Sequence, residues 1–390
     1  RSTQAKTLFP YTTLFRSWAL EGACFGGNKE LIQMIIDLGD IDYKFGLRGA
    51  CMGGYDEVIK MMLSLGATDY NRGLLNACEG GHVDIAKMMI DLGADDYIRG
   101  LEHACYGGKI ETVNLMLSLG ATDYNWGLHS ACLHGHIEIV KMMISLGIDN
   151  YNDGFQYACK NGHVETVKLL CPYIRVFNMG FYIACIHGHN EIIKLLISKI
   201  SNYNLALQGV CTYGDKEFVN KILDLGADDY DLGLGSACLG GHDAVVNMML
   251  ELGADDYNLG LRGACKGGHI AIVKRMIELG ADDFERGLIN AVFEKHIEII
   301  KMMIELGENS FNEILTYTEN IDIARLAIQC GATNFDELMF GNLEFKVLYS
   351  RVTKNIIDLP IKKDHLEYHL LNFYRYKIQD IDRLINKYLY

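Results

Sequence analysis

The sequence is nearly without proline, which holds three of its 390 positions. That scarcity excludes collagen-like order, a Pro-rich linker and a long disordered tail. No apolar run approaches the ~18 residues that a membrane-spanning helix needs, and no apolar core of a secretory leader is visible. Positive charge is in deficit: the formal net charge is −14, so neither nucleic acid nor a membrane surface is expected as a partner. A Gly-rich phosphate loop, a nucleophile elbow and a His-Glu-x-x-His zinc motif are all missing, and no catalysis or cofactor is expected. Twelve cysteines are spread too evenly for a disulfide scaffold and fit a reducing, cytoplasmic compartment.

What the chain does have is a clock. Cysteines stand at 24, 51, 78, 105, 132 and 159, then at 185 and 211 after two shorter steps, then at 238 and 265, with Val292 in the next place. Glycines at 39, 66, 93, 120, 147, 226, 253, 280 and 307 keep the same 27-residue beat. A fixed period of this length predicts stacked repeats.

One unit shows the physics. Tyr70, Gly73, Leu74, Ala77 and Cys78 recur at helical spacing and form one apolar face. Asp69 precedes them and suits an N-cap. Gly80-Gly81 breaks that helix, and Val83, Ile85, Ala86, Met89, Ile90 and Leu92 form a second apolar face ending at Gly93. Neither short helix can bury its face alone, so neighbouring units must complete the core. The expected fold class is all-α: an α-solenoid of stacked helix-turn-helix repeats. We number the places in each first helix from its Tyr, taken as slot 0. Slot 3, occupied by Gly73, accepts only Gly or Ala, from Ala19 to Gly287. Close backbone approach between stacked helices is the expected reason, because Gly within a helix costs about 1 kcal/mol against Ala.

The segment Gly135-His136-Ile137-Glu138-Ile139-Val140-Lys141-Met142-Met143-Ile144 and the exit Leu252-Gly253-Ala254-Asp255 resemble the ankyrin repeat. The resemblance spans residues 18 to about 335. The 27-residue form is similar to that of ankyrin-repeat proteins from giant DNA viruses of protists. It departs from the family's longer repeat where Asp255 to Leu261 joins the helices directly, with no room for the β-hairpin finger. The resemblance implies a non-catalytic, protein-binding scaffold, placed in a host's cytoplasm if viral, and leaves finger-mediated binding in doubt.

The units differ from one another mainly in slots 2, 5, 6 and 9 of the first helix, which cluster opposite the packed face. Slot 2 holds both tryptophans, Trp18 and Trp126. Second helices mostly repeat carboxylate–lysine pairs such as Glu138/Lys141 and Glu298/Lys301, a generic solvated face. Variation confined to the inner helix predicts a concave recognition surface. Half-buried packing at a groove floor is the competing reading. The densest candidate site is Arg72, Arg99, His103, Tyr106, Trp126, His129, Leu133 and Tyr157. Arg48, Arg72 and Arg99 are expected to line its N-terminal part with positive charge, suiting an acidic and apolar segment of a host protein. A monomer is expected.

Two repeated residue types invite a chemical reading. Histidines at 82, 136, 163, 189, 242, 269 and 296 mark the inter-helix turn, but equivalent residues of stacked units lie ~10 Å apart, too far to share a metal. The cysteines read as small buried hydrophobes, and their spacing leaves no disulfide geometry. A metal or redox enzyme is therefore the weakest alternative.

The ends and the middle depart from the beat. Phe9 to Ser17 resemble a translated sequencing-library adapter, and residues 1–17 are read as an adapter artefact or disordered lead. The array is expected over 18–340, with an irregular middle at 171–205 where Pro172 replaces the Gly exit. Residues 341–390, with Leu366, Leu370, Phe373, Ile378, Ile381 and Ile385, suggest a helical cap or tail. A second alternative makes that tail an adaptor for a host ubiquitin ligase, on the slim hint of Leu359-Pro360.

Overall fold

The computed structural model describes residues 10–332, apart from 40 and 319. The tail at 341–390 and the start at 1–9 lie outside the described residues. Those described form 24 α-helices in antiparallel pairs, with no strand among them. Asp69 caps α5 (Tyr70–Gly80), its carboxylate accepting from the Arg72 N–H, and the same cap recurs at Asp96, Asp123, Asp229, Asp256 and Asp283. Gly81 follows at φ +87°, the left-handed stop that an L-residue resists. α6 (Val83–Asp91) runs back, and a short loop through Ala94 leads straight into α7 (Tyr97–Gly107). The finger is absent in this unit, as its missing residues require.

The chain divides into two compact segments at Ser201/Asn202. Segment 10–201 carries seven helix pairs. Its core is the column Leu47, Leu74, Leu101, Leu128, Phe155 and Phe181, backed by Cys51, Cys78, Cys105, Cys132, Cys159 and Cys185 and by Met62, Met89, Met116 and Met143, all buried. Each fully buried Leu or Met contributes roughly 1.5–3 kcal/mol relative to exposure. In its irregular end, α12 (Val164–Leu170) is short and passes into a single 3-10 turn at Cys171–Tyr173 with Pro172 in it. Segment 202–332 carries five pairs on the same plan, with Leu207, Leu234, Leu261 and Leu288 in the buried column.

Slot 3 is tight for a different reason than backbone approach. A Cβ at Gly73 would come within 2.7 Å of Met89 Sδ and 3.4 Å of Cys51 Sγ. At Gly127 the same two groups are Met143 Sδ and Cys105 Sγ, at 3.0 and 3.2 Å. The neighbours are sulfur atoms of side chains, one from the unit's own second helix and one from the unit before. Backbone approach occurs instead at slot 10, where a Cβ on Gly80 or Gly107 would strike the carbonyl of Met52 or Glu79.

Two polar bonds recur between successive units. Asn71 accepts from the backbone N–H of Asp95 at 2.8 Å and of Asp96 at 3.1 Å, in the loop entering the next unit. Asn258 holds Asp282 and Asp283 in the same way, and Asp231 holds Asp255 and Asp256. The turn histidines reach in the other direction: His82, His136 and His163 place Nε2 3.0–3.1 Å from the carbonyls of Met52, Tyr106 and Leu133. A carbonyl only accepts, so Nε2 carries the proton in each.

The first helix, α1, spans Pro10–Phe25, so residues 10–17, set apart from the array in the sequence reading, are placed in it. Ser17 is 1 % exposed, and its hydroxyl accepts from the Asp42 N–H at 3.0 Å, taking the role that Asn71 plays two units later. A small oxygen-bearing side chain suffices there, whatever the residues before it.

Candidate functional site

All eight candidate residues lie in segment 10–201, on α5, α7, α9 (Tyr124–His134) and α11 (Asn152–Lys160). Their backbones are fixed by the buried half of each helix, where Gly127, Leu128, Ser130, Ala131 and Cys132 face the core. Slots 2 and 9 stay exposed or half-buried, whereas slots 5 and 6 are half-buried, as at His129 and Tyr157, or buried, as at Leu75 and Ser130.

The structure joins three of the candidates in one aromatic run. Trp126 stacks on His129 with ring centroids 5.2 Å apart and planes 16° apart. His129 in turn lies 4.1 Å from Tyr157 of the next unit. Trp126 remains 53 % exposed. Tyr106 stands apart from this run and packs edge-on against His134 at 4.2 Å. Leu133 is half-buried, and its carbonyl takes the bridge from His163.

The arginines and His103 all have carboxylate partners. Arg72 lies 4.0 Å from Asp69 and Arg99 3.9 Å from Asp96, each the cap of its own helix. Arg48 pairs with Glu21 at 3.1 Å, and His103 Nδ1 lies 2.8 Å from Glu79 Oε2. The expected positive lining is therefore matched by carboxylates. Exposed pairs of this length are worth ~0–1 kcal/mol, so Arg72 and Arg99 can be recruited by another carboxylate at little cost.

Glu79 and His134 contact the candidates His103 and Tyr106 and were not among the expected residues. A spacing rule would have found both. Slot 9 meets slot 6 of the next unit, 24 positions on, as in Glu79/His103 and Phe293/Tyr317. Slots 5 and 9 meet slots 6 and 10 of the next unit, 28 positions on, as in His129/Tyr157 and Tyr106/His134. Burial, helped by the neighbouring His136 and His163, holds the His134 pKa below the ordinary imidazole value.

Neither chemical alternative gains support from the geometry. Burial pushes the thiols of Cys51, Cys78, Cys105 and Cys132 up to about 12, and a thiol at that value is a poor nucleophile and metal ligand at neutral pH. Among the described residues, no group of three or more His, Cys, Asp or Glu could hold a metal ion, and no helix is long and apolar enough to cross a membrane.

No curated protein matches the chain. A family described as ankyrin repeats in three copies matches residues 101–179 and 128–206. Those ranges take in all the candidate residues except Arg72 and Arg99. Residues 101–206 therefore carry ankyrin repeats, and helix pairs on the same plan recur before and after them.

Proposed function

We propose that the protein is a non-catalytic scaffold that binds another protein on the face formed by its first helices, the face expected to be concave. Ankyrin repeats generally mediate protein–protein interaction. The observation that carries the finer reading is the run Trp126–His129–Tyr157, held by stacking and left open at Trp126. Rigid aromatic surface flanked by exchangeable arginines is the composition of a binding hot spot. The partner segment would lay an apolar side chain on Trp126 and Tyr106 and bring a carboxylate to Arg99 or Arg72. The expected setting is a reducing cytoplasm and a monomer.

The test is affinity capture with the full chain and with a Trp126→Ala/Tyr106→Ala/Arg99→Ala variant, with circular dichroism on both. A prey held by the first and lost from the second, at equal helicity, supports the site. Identical prey from both would remove it from this face.

A further inference from the structure

The face of α1 and α2 (Lys29–Asp37) that points away from the second unit is built as an interface and left open among the described residues. Slot 15 is the clearest case. Leu31 is 43 % exposed, whereas its equivalents Val58, Ile85, Thr112, Ile139, Thr166 and Ile192 are 0–4 % exposed. Met34 beside it is 66 % exposed. Slot 3 repeats the contrast: Ala19 is exposed, while Gly46, Gly73, Gly100, Gly127, Gly154 and Gly180 are buried.

Gly22 of α1 and Gly26, the residue that follows the helix, give an independent reading of what fits there. Gly22 is equivalent to Gly49, and Gly26 to Gly53, Gly80 and Gly107. A Cβ at Gly49 would strike the carbonyl of Glu21, and a Cβ at Gly53 that of Phe25, both on the preceding first helix. Around Gly22 nothing lies within 4 Å, and around Gly26 only carbonyls of its own helix do. Gly22 stands within the helix, where Gly costs ~1 kcal/mol against Ala, and no neighbour in this structure asks for it. The surface thus has the apolar chemistry of the later boundaries in this segment and the two clearances with which Gly49 and Gly53 receive the first helix before them.

We infer that this face is covered by one more helix pair of the same 27-residue kind, joined to the chain ahead of Trp18 in the place where residues 1–17 now stand. The occupant follows from continuity: in segment 10–201 each later unit covers the same slots with the unit before it. Ser17 already makes the bond that slot 1 makes at other boundaries, so the joint falls at or before it. An uncapped terminal unit would otherwise leave Leu31 and Met34 in water, against the rule that end units of stacked arrays turn a polar face outward.

The test compares the full chain with a second version in which residues 1–17 are replaced by a copy of residues 43–71, which supplies one unit and re-enters at Trp18 with Tyr and Asn in slots 0 and 1. Leu31→Lys is made in both, and thermal unfolding, sedimentation and binding of an apolar dye are followed. The expected result is that Leu31→Lys leaves the midpoint of the full chain within a degree or so but lowers that of the extended chain by several degrees. Dye binding should fall on extension. Equal tolerance of Leu31→Lys in both chains would overturn the inference. So would a dimer of the unextended chain that Leu31→Lys disperses, because that would assign the face to a second copy.

Discussion

The ring of His129 lies 4.1 Å from that of Tyr157, on the first helix of the next unit. His129 also stacks on Trp126, so one imidazole ties the exposed indole to two helices at once. That arrangement fixes Trp126 before any partner arrives, and pre-organised aromatics lose little entropy on binding.

Trp126→Ala should therefore weaken partner binding at least tenfold while leaving the unfolding midpoint nearly unchanged, because the side chain is more than half exposed. Phe155→Ala, at a site 1 % exposed in the same stack of helices, should do the reverse and cost about 3–5 kcal/mol of stability. Paired binding isotherms and denaturant curves separate the two. A large stability loss at Trp126 would mark it as a packing residue.

Asn71→Ala removes the acceptor for two backbone N–H groups, those of Asp95 and Asp96, and should cost about 1–2 kcal/mol. Asn71→Asp should restore most of it, since Asp231 makes the same two bonds to Asp255 and Asp256. Amide exchange at residues 95 and 96 reads the effect locally, and unchanged protection in Asn71→Ala would discount the clamp.

The cysteines make a chemical prediction. Ten of the twelve are buried, leaving Cys171 and Cys330 partly exposed, and burial raises the thiols of those packed in the stack to about 12 or beyond. Iodoacetamide at pH 8 should label no more than two thiols of the native chain and all twelve after denaturation, as counted by mass spectrometry. Rapid labelling of Cys78 or Cys132 in the folded chain would contradict the packed-core assignment.

His134 supplies a pH dependence. Its folded pKa lies below the ordinary value near 6.5, through burial and the adjacent His136 and His163. Protonation thus favours the unfolded chain, and the sign follows by linkage. Above about pH 6.5 the residue is neutral in both states and has no effect on stability. Stability is lost as pH falls through 6.5 toward the lowered folded value. His134→Asn, the residue that unit 6 carries at this slot as Asn161, should flatten the unfolding midpoint between pH 7 and 5. A variant that keeps the full slope would place the titration elsewhere.

Much of this was legible in the sequence because the repeat samples each environment many times. The Asp69 caps, the Gly81 stops and the buried columns of Leu, Cys and Met follow from period and propensity alone. The reason for Gly73 did not, since the sulfur atoms that crowd it come from Met89 and from Cys51 of another unit. The partners of Arg72 and Arg99 were hidden for a related reason. Counting arginines on a face omits the cap carboxylates of the same helices, which lie one turn away. The roles of Asn71 and His82 were also missed, because a recurring polar residue says nothing of the direction in which it bonds.

Those two bonds sit at opposite ends of the first helix, and they do not occur together at every boundary. Between units 4 and 5 the histidine side is fastened, His136 to the Tyr106 carbonyl, but slot 1 of unit 4 is Ile98, an exposed hydrocarbon with nothing to offer the loop at Thr122 and Asp123. This boundary runs through the middle of the candidate site, with Arg99 and His103 on one side and Trp126 and His129 on the other. Of the two fastenings only the one at the turn edge is present, so this boundary is pinned by these recurring bonds on one side alone, and the loop edge rests on the packing of the buried columns.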